Sequence, residues 1–233
     1  MTRAAQQAPD GPATSGRRAR VVSGPDGFVI RSVEFAGAVA SPGGRAPAAL
    51  PQVAFSGRSN VGKSSLINRL LGRTRTQVAR VSATPGKTQE INFYRIGVRD
   101  AGREYEFLLV DLPGYGFARA PEAVRRKWRP LIESYLTGTP ALRGVVQLID
   151  ARHGPSAEDH RMLDYLMATG LPTLFALTKV DKVKRSQRAE RLAAAIGQLG
   201  VAAEQAVAFS AATGEGRDDL LDSIRTLLSE EPQ

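Results

Sequence analysis

Gly57-Arg58-Ser59-Asn60-Val61-Gly62-Lys63-Ser64 reads G-x-x-x-x-G-K-S. An apolar run ending at Phe55 precedes it, and a helix-forming run, Ser65 to Leu71, follows. Strand, glycine loop and helix in that order is the setting in which this spacing cradles phosphate. The two glycines let the backbone wrap inward so that its N–H groups face phosphate oxygens. The N-terminus of the following helix adds partial positive charge at the same spot. Lys63 would reach the β- and γ-phosphates, and the Ser64 hydroxyl would bind Mg²⁺. The competing reading is a glycine-rich turn capping an ordinary helix; the flanking strand and helix favour phosphate. The loop alone does not separate adenine from guanine.

Thr178-Lys179-Val180-Asp181 makes that separation. It follows an apolar run, Pro172 to Leu177. A carboxylate here can accept from both the N1–H and the 2-amine of guanine. Adenine has a lone pair at N1 and no 2-amine, so it would leave the carboxylate unpaired. Each such buried group costs about 1–3 kcal/mol, more when charged. Lys179 would lay its stem along the base and tether the phosphate loop. A solvated Lys/Asp turn is the alternative, and the position after a phosphate loop argues against it.

Three further segments fall where loops after strands are expected. Asp111-Leu112-Pro113-Gly114 follows the apolar run Phe107 to Val110, which reads as a buried strand. Asp111 would hold Mg²⁺ through a water, and the Gly114 N–H would sense a γ-phosphate. Thr84 to Glu90 precedes a strand, and within it Gly86, Lys87, Thr88, Gln89 and Glu90 are candidates to border nucleotide. Thr88, directly before the strand, is the choice for a hydroxyl that joins Mg²⁺ only in the triphosphate state; a polar Pro-Gly loop is the alternative. Phe209-Ser210-Ala211 could offer a backbone N–H to the guanine O6.

In this order the segments resemble the translation-factor-like small GTPases, and within the TrmE-Era-EngA-EngB-Septin-like group they resemble the bacterial EngB (YsxC/YihA) family. The residues that carry the match are 57–64, Thr84-Pro-Gly-Lys-Thr-Gln89, Asn92-Phe93-Tyr94, Asp111-Leu-Pro-Gly-Tyr-Gly-Phe-Ala118, Asp150-Ala-Arg-His-Gly-Pro155 and Thr178-Lys-Val-Asp-Lys182. The resemblance runs from about Phe28 to the C-terminus. It implies a phosphate-loop α/β fold in three layers: a mostly parallel six-stranded sheet with one antiparallel edge strand, and helices on both faces. It implies GTP and GDP as ligands, action as a molecular switch in large ribosomal subunit assembly, and a link to cell division and septation. A monomer in the cytoplasm is expected.

Composition fits one α/β domain: 233 residues, 42% hydrophobic, no cysteine. Disulfides are excluded, and no apolar run of about eighteen residues suggests a membrane span. Residues 1–27 are rich in Ala, Gly, Pro, Ser and Gln and read as a disordered tail, or alternatively as a basic anchor on RNA; 28–233 form the G domain. Strands alternating with helices from there on predict a sheet covered on both faces. Net charge is +9, and basic residues cluster at 69–87, at 119–129 and after Lys179. Two of these clusters flank the expected switch loops, which suits an acidic partner such as rRNA; solvated helix faces are the alternative.

The residue directly after Asp111-Leu-Pro-Gly114 is Tyr115, where many GTPases carry the glutamine that orients the attacking water. Arg58 and Arg119 are only candidates for an arginine finger. Slow turnover is therefore expected, with Lys63, Thr88, Gly114 and Asn60 as the catalytic set. Several relatives use an asparagine at the place of Asn60 to hold K⁺; a structural cap is the alternative. Two rival functions stand beside the GTPase switch, a non-enzymatic adaptor at the division site and an RNA-binding module with a vestigial site. The intact Lys63, Ser64, Asp111 and Asp181 argue against the second.

Overall fold

Gln52–Gly57 is buried at every position, as a strand covered on both faces must be. It lies near the middle of a sheet in the computed structural model, which describes residues 22–24, 27–74, 78–79, 90–115 and 122–229. The strands are β1 (Val22–Ser23), β2 (Val29–Val39), β3 (Gln52–Gly57), β4 (Ile91–Asp100), β5 (Arg103–Asp111), β6 (Leu142–Asp150), β7 (Thr173–Thr178) and β8 (Ala206–Phe209). The helices are α1 (Lys63–Leu70), α2 (Glu122–Gly138), α3 (Ala157–Thr169), α4 (Arg188–Leu199) and α5 (Arg217–Ser229).

The strand order is β1-β2-β4-β5-β3-β6-β7-β8. Strands β5, β3, β6, β7 and β8 run parallel. Their residues alternate between two cores, as a period of two requires. Val53 and Phe55 of β3, with Phe107 and Leu109 of β5, pack with Leu66, Ile67 and Leu70 of α1 and Leu220 and Ile224 of α5. Ala54, Leu108 and Val110 face the other way, against Leu131, Ile132 and Tyr135 of α2 and Leu166 of α3. Beyond β6, Phe175 and Leu177 pack with Leu163 of α3 and Ala195 and Leu199 of α4. This is the three-layer α/β class expected.

The sheet is wider than six strands, and its antiparallel margin is larger than one strand. β4 pairs antiparallel with β5, β2 with β4 and β1 with β2. Residues Ala101 and Gly102, at φ 47° and 83°, make the two-residue turn that joins β4 to β5. The margin is hard to read because β2 carries register shifts at Ile30/Ser32 and Phe35/Gly37. Each shift breaks the alternation on which strand reading depends. The expected disordered tail, 1–27, falls largely outside the described residues. Among the described residues no helix is long and apolar enough to cross a membrane.

Strand order reverses at β3, whose neighbours β5 and β6 continue the chain in opposite lateral directions. In open α/β sheets that reversal leaves a crevice beyond the carboxyl ends of the strands, where ligands bind. Gly57, Asp111, Asp150, Thr178 and Phe209 terminate the parallel strands at this end. A cleft of about 410 Å³, lined by Gly44, Gln52, Ser134 and Tyr135 among others, lies on the α2 side of the sheet and is lined by none of the candidate site residues.

Candidate functional site

Gly57 ends β3 and Lys63 opens α1, so the glycine loop is the connection between them. The backbone turns through the left-handed region at Asn60 (φ 64°) and Gly62 (φ 103°), and the second value is one that a side chain would strain. The first backbone N–H groups of α1 have no partner within the helix and point at the crevice, an arrangement suited to anions. Lys63 lies in this cradle and forms an ion pair with Asp111 at the end of β5. The two residues are 9% and 3% exposed, so each depends on the other for charge compensation.

After Asp111 the chain runs hard against the glycine loop. A Cβ on Gly114 would stand 2.9 Å from Ser59 Oγ and 3.3 Å from Ser59 Cα, so only glycine fits without displacement. Tyr115 then pairs with Arg58 as in a parallel ladder. Its N–H donates to Gly57 O at 3.3 Å, and its carbonyl accepts from Ser59 N at 2.9 Å.

The end of β7 fastens the other side of the loop. Thr178 Oγ1 donates to Val61 O at 2.8 Å. Lys179, at φ 61°, turns its chain across the loop, and its Nζ donates to Asn60 O at 2.6 Å and to Asp150 Oδ2 at 2.9 Å. Asp150 ends β6 and also accepts from Arg152 Nη2 at 2.7 Å and Nε at 2.9 Å. Burial alone would raise the Asp150 pKa, but the hydrogen bonds from Arg152 and Lys179 outweigh it and bring it down to about 2. A depressed carboxylate contributes stability above its ordinary pKa and loses it as the folded-state pKa is approached. The stability difference between wild type and Asp150→Asn should therefore be full above pH 4 and shrink between about pH 4 and 2. Urea midpoints across that range check this; a difference independent of pH would mean the charge of Asp150 is not what holds Lys179.

Asp181 sits in the turn after β7, and its Oδ1 accepts from Ser210 Oγ at 2.7 Å. Ser210 is fully buried, and its own N–H is committed to Glu215 O at 3.0 Å. Of the three residues expected to offer a backbone N–H to a base, Ser210 is thus engaged elsewhere, and its part is to orient the carboxylate. The same loop is held from α1, where Arg69 Nε and Nη2 donate to the carbonyls of Ala211 and Ala212, both at 2.6 Å. Arg69 is therefore spent on the fold, unlike the free cation that its place in the basic run 69–87 suggests. Beside it, buried Asn68 donates to Ala79 O at 2.8 Å and accepts from Val78 N and Ala79 N at 2.9 and 3.0 Å.

The candidates at 57–64, 111–114, 178–181 and 209–211 thus meet at one end of the sheet. Glu90 stands exposed just before β4. Gly86, Lys87, Thr88 and Gln89 lie outside the described residues. Sequence reading missed the roles of Asn68 and Asp150. Both gave a signal: a carboxylate ending an apolar strand, as Asp111 does, and a polar residue among the apolar positions of α1. The donors present fit Mg²⁺, which takes one or two protein oxygens and completes its shell with phosphates and water. The Ser64 hydroxyl and the Asp111 carboxylate supply such hard oxygens beside the phosphate cradle.

Residues 52–179 match the family model of 50S ribosome-binding GTPases. A protein of Gemmatimonas aurantiaca, called probable GTP-binding protein EngB, is 48% identical over 203 residues, 87% of this chain and 95% of that one. The chain belongs to the EngB family of GTP-binding proteins. A second EngB, from Syntrophus aciditrophicus, is 49% identical over 196 residues, 84% of this chain and 95% of that one. Solved structures agree on the fold. One of a probable GTP-binding protein engB matches with TM-score 0.55 at 23% identity, over 76% of this chain and 98% of that chain. Era of Aquifex aeolicus, bound to GDP.AlF4-, matches with TM-score 0.61 at 24% identity, over 77% of this chain and 57% of that chain. As an EngB-family GTPase, the chain binds guanine nucleotides.

Proposed function

We propose that this EngB-family protein is a GTP-operated switch with slow intrinsic hydrolysis, acting in assembly of the large ribosomal subunit and through it needed for cell division and septation. The observation that supports the reading is the meeting of Lys63, Asp111, Lys179 and Asp181 around one phosphate cradle. The N–H groups of 57–64 and Lys63 bind the phosphates. Asp181 reads the guanine edge, Val180 and Lys179 border the base, and Phe209 to Ala211 close its far side through the Ala211 N–H. Ser64 holds Mg²⁺, with Thr88 joining in the triphosphate state and Asp111 acting through a water. When bound, the ion neutralises charge that develops on the phosphates. Gly86, Lys87, Gln89 and Glu90 border the nucleotide on the first switch, and Leu112, Pro113 and Gly114 on the second. The G domain is 28–233, carried behind a tail at 1–27, and the protein works in the cytoplasm.

Slow turnover follows from Tyr115, whose hydroxyl is bonded to Asp159 rather than offered to a water. Asn60 takes the compensating role and holds K⁺ beside the phosphates. Turnover should be faster in K⁺ than in Na⁺, with the difference lost in Asn60→Ala. Equal rates in the two salts would remove K⁺ from the reaction and leave hydrolysis to a group supplied by a partner.

The test of the whole reading is co-sedimentation with large ribosomal subunits. Binding should be stronger with a non-hydrolysable GTP analogue than with GDP and should fall steeply with salt, because neutralised phosphates release counterions. Replacing Arg125, Arg126 and Lys127 by Glu should weaken it and flatten the salt slope by about three, one per lost phosphate contact, with GDP affinity unchanged. Binding indifferent to both nucleotide and salt would sink the proposal.

A further inference from the structure

Tyr115 is built into the molecule more firmly than the start of a switch segment requires. Its side chain is 8% exposed and points away from the phosphate cradle into the space between β6 and α3. The hydroxyl donates to Asp159 Oδ1 at 2.8 Å and accepts from Gln147 Nε2. Gln147 lies in the middle of β6 and is fully buried. Asp159, 3% exposed, is the third residue of α3, and its other oxygen accepts from Ser156 N at 2.8 Å and Ser156 Oγ at 2.7 Å. Both oxygens of the carboxylate are thus used, one to cap α3 and one to hold the tyrosine.

Packing alone does not account for this arrangement. A phenylalanine would fill the same space, and it would not need a buried glutamine and a buried aspartate beside it. The hydroxyl has one donor and one acceptor partner from two separate elements, which fixes the ring in rotation as well as in depth. Meanwhile the backbone of Tyr115 is bonded in both directions to the glycine loop, to Gly57 O and from Ser59 N. Gly114, one peptide away, is pressed against Ser59. Any shift of Tyr115 moves Gly114 with it.

We propose that Tyr115 is a positioning residue: anchored by Asp159 and Gln147, it holds the Gly114 N–H at the phosphate loop before nucleotide arrives. The inference rests on the reading of Gly114 as the contact to the γ-phosphate. Because the N–H is placed in advance, triphosphate binding gains it without a cost of ordering. Diphosphate has no oxygen there and is indifferent to it. The anchor therefore sets the ratio of GTP to GDP affinity.

Tyr115→Phe removes the hydroxyl and keeps the ring. Dissociation constants for GDP and for a non-hydrolysable GTP analogue, measured with Mg²⁺ on the full chain, decide the matter. The analogue should weaken about tenfold, equivalent to about 1.4 kcal/mol, with GDP changed less than about twofold. Equal weakening of both nucleotides, or no change in either, overturns the proposal, since a residue that only packs would not alter the ratio. If Tyr115→Phe does not fold, Gln147→Met decides by the same ratio; it removes one donor and leaves the Tyr115–Asp159 bond and the α3 cap in place. Failure of the GTPase reading would show earlier and differently, as wild-type protein that binds neither nucleotide.

Discussion

Asp181→Asn should weaken GDP and GTP binding about a thousandfold and let xanthine nucleotides bind in their place. In the proposed site the carboxylate accepts two hydrogen bonds from guanine, and bonds to a charged acceptor contribute about 1.5–3 kcal/mol each. An amide at that position keeps one acceptor and turns its NH₂ toward the 2-amine, donor against donor. Xanthine carries an oxygen there, which the NH₂ can reach. The orientation of the new side chain is set by Ser210, whose hydroxyl donates to Asp181 Oδ1 at 2.7 Å. The amide oxygen takes the place of Oδ1 and keeps that bond, leaving NH₂ in the place of Oδ2. Ser210→Ala should weaken guanine binding without any gain for xanthine. Displacement of labelled GDP by GDP, XDP and ADP reads all three proteins. A wild type from which ADP displaces the label as well as GDP does would end the guanine reading.

Lys63→Ala should abolish triphosphate binding and, separately, destabilise the nucleotide-free fold. The second effect comes from Asp111, which is buried and would lose the cation paired with it. Removing one member of a buried ion pair costs about 3–5 kcal/mol. In a chain of 233 residues that is a fall in melting temperature of roughly 6–20 °C. Adding Asp111→Asn should recover most of the stability, because a neutral amide needs no counter-ion, while binding stays lost. Thermal melts without nucleotide, together with titrations of a fluorescent GTP analogue, separate the two effects. A melting temperature that Lys63→Ala leaves unmoved would show that the pair does not hold the empty site together.

The readable parts of this protein were those in which one short segment satisfies its own geometry. The glycine loop, the Asp111 to Gly114 turn and the Thr178 to Asp181 turn each follow an apolar strand, and local spacing is enough to find them. What escaped depends on partners far along the chain. Arg69 and Ala211 are 142 residues apart, Tyr115 and Asp159 are 44 apart, and neither pairing leaves a local trace. Asn68 looks like an ordinary polar position until the backbone of 78–79 is seen folded onto it. The sequence does predict a helix over 121–137, and α2 forms there although Pro130 inside it lacks an N–H. Burial of Leu131, Ile132, Tyr135 and Leu136 against the sheet overrides that penalty. The wide antiparallel margin was obscured by the two shifts in β2, which scramble its alternation.

The clamps on the phosphate loop also fix an order of events during synthesis. The loop itself is complete by Ser64, yet the residues that fasten it come more than a hundred positions later, at Thr178 and Lys179. The Asp181 carboxylate is oriented only once Ser210 is present, and Arg69 of α1 finds its carbonyl partners at Ala211 and Ala212. Central β3 likewise waits for β5 and β6, which arrive well after it. A chain emerging from its N-terminus therefore carries an unfastened loop until Thr178 and Lys179 have been made, and its base-side loop is tied to α1 only after Ala211 and Ala212 appear. Loop and fasteners are thus separated in time of synthesis as well as in sequence.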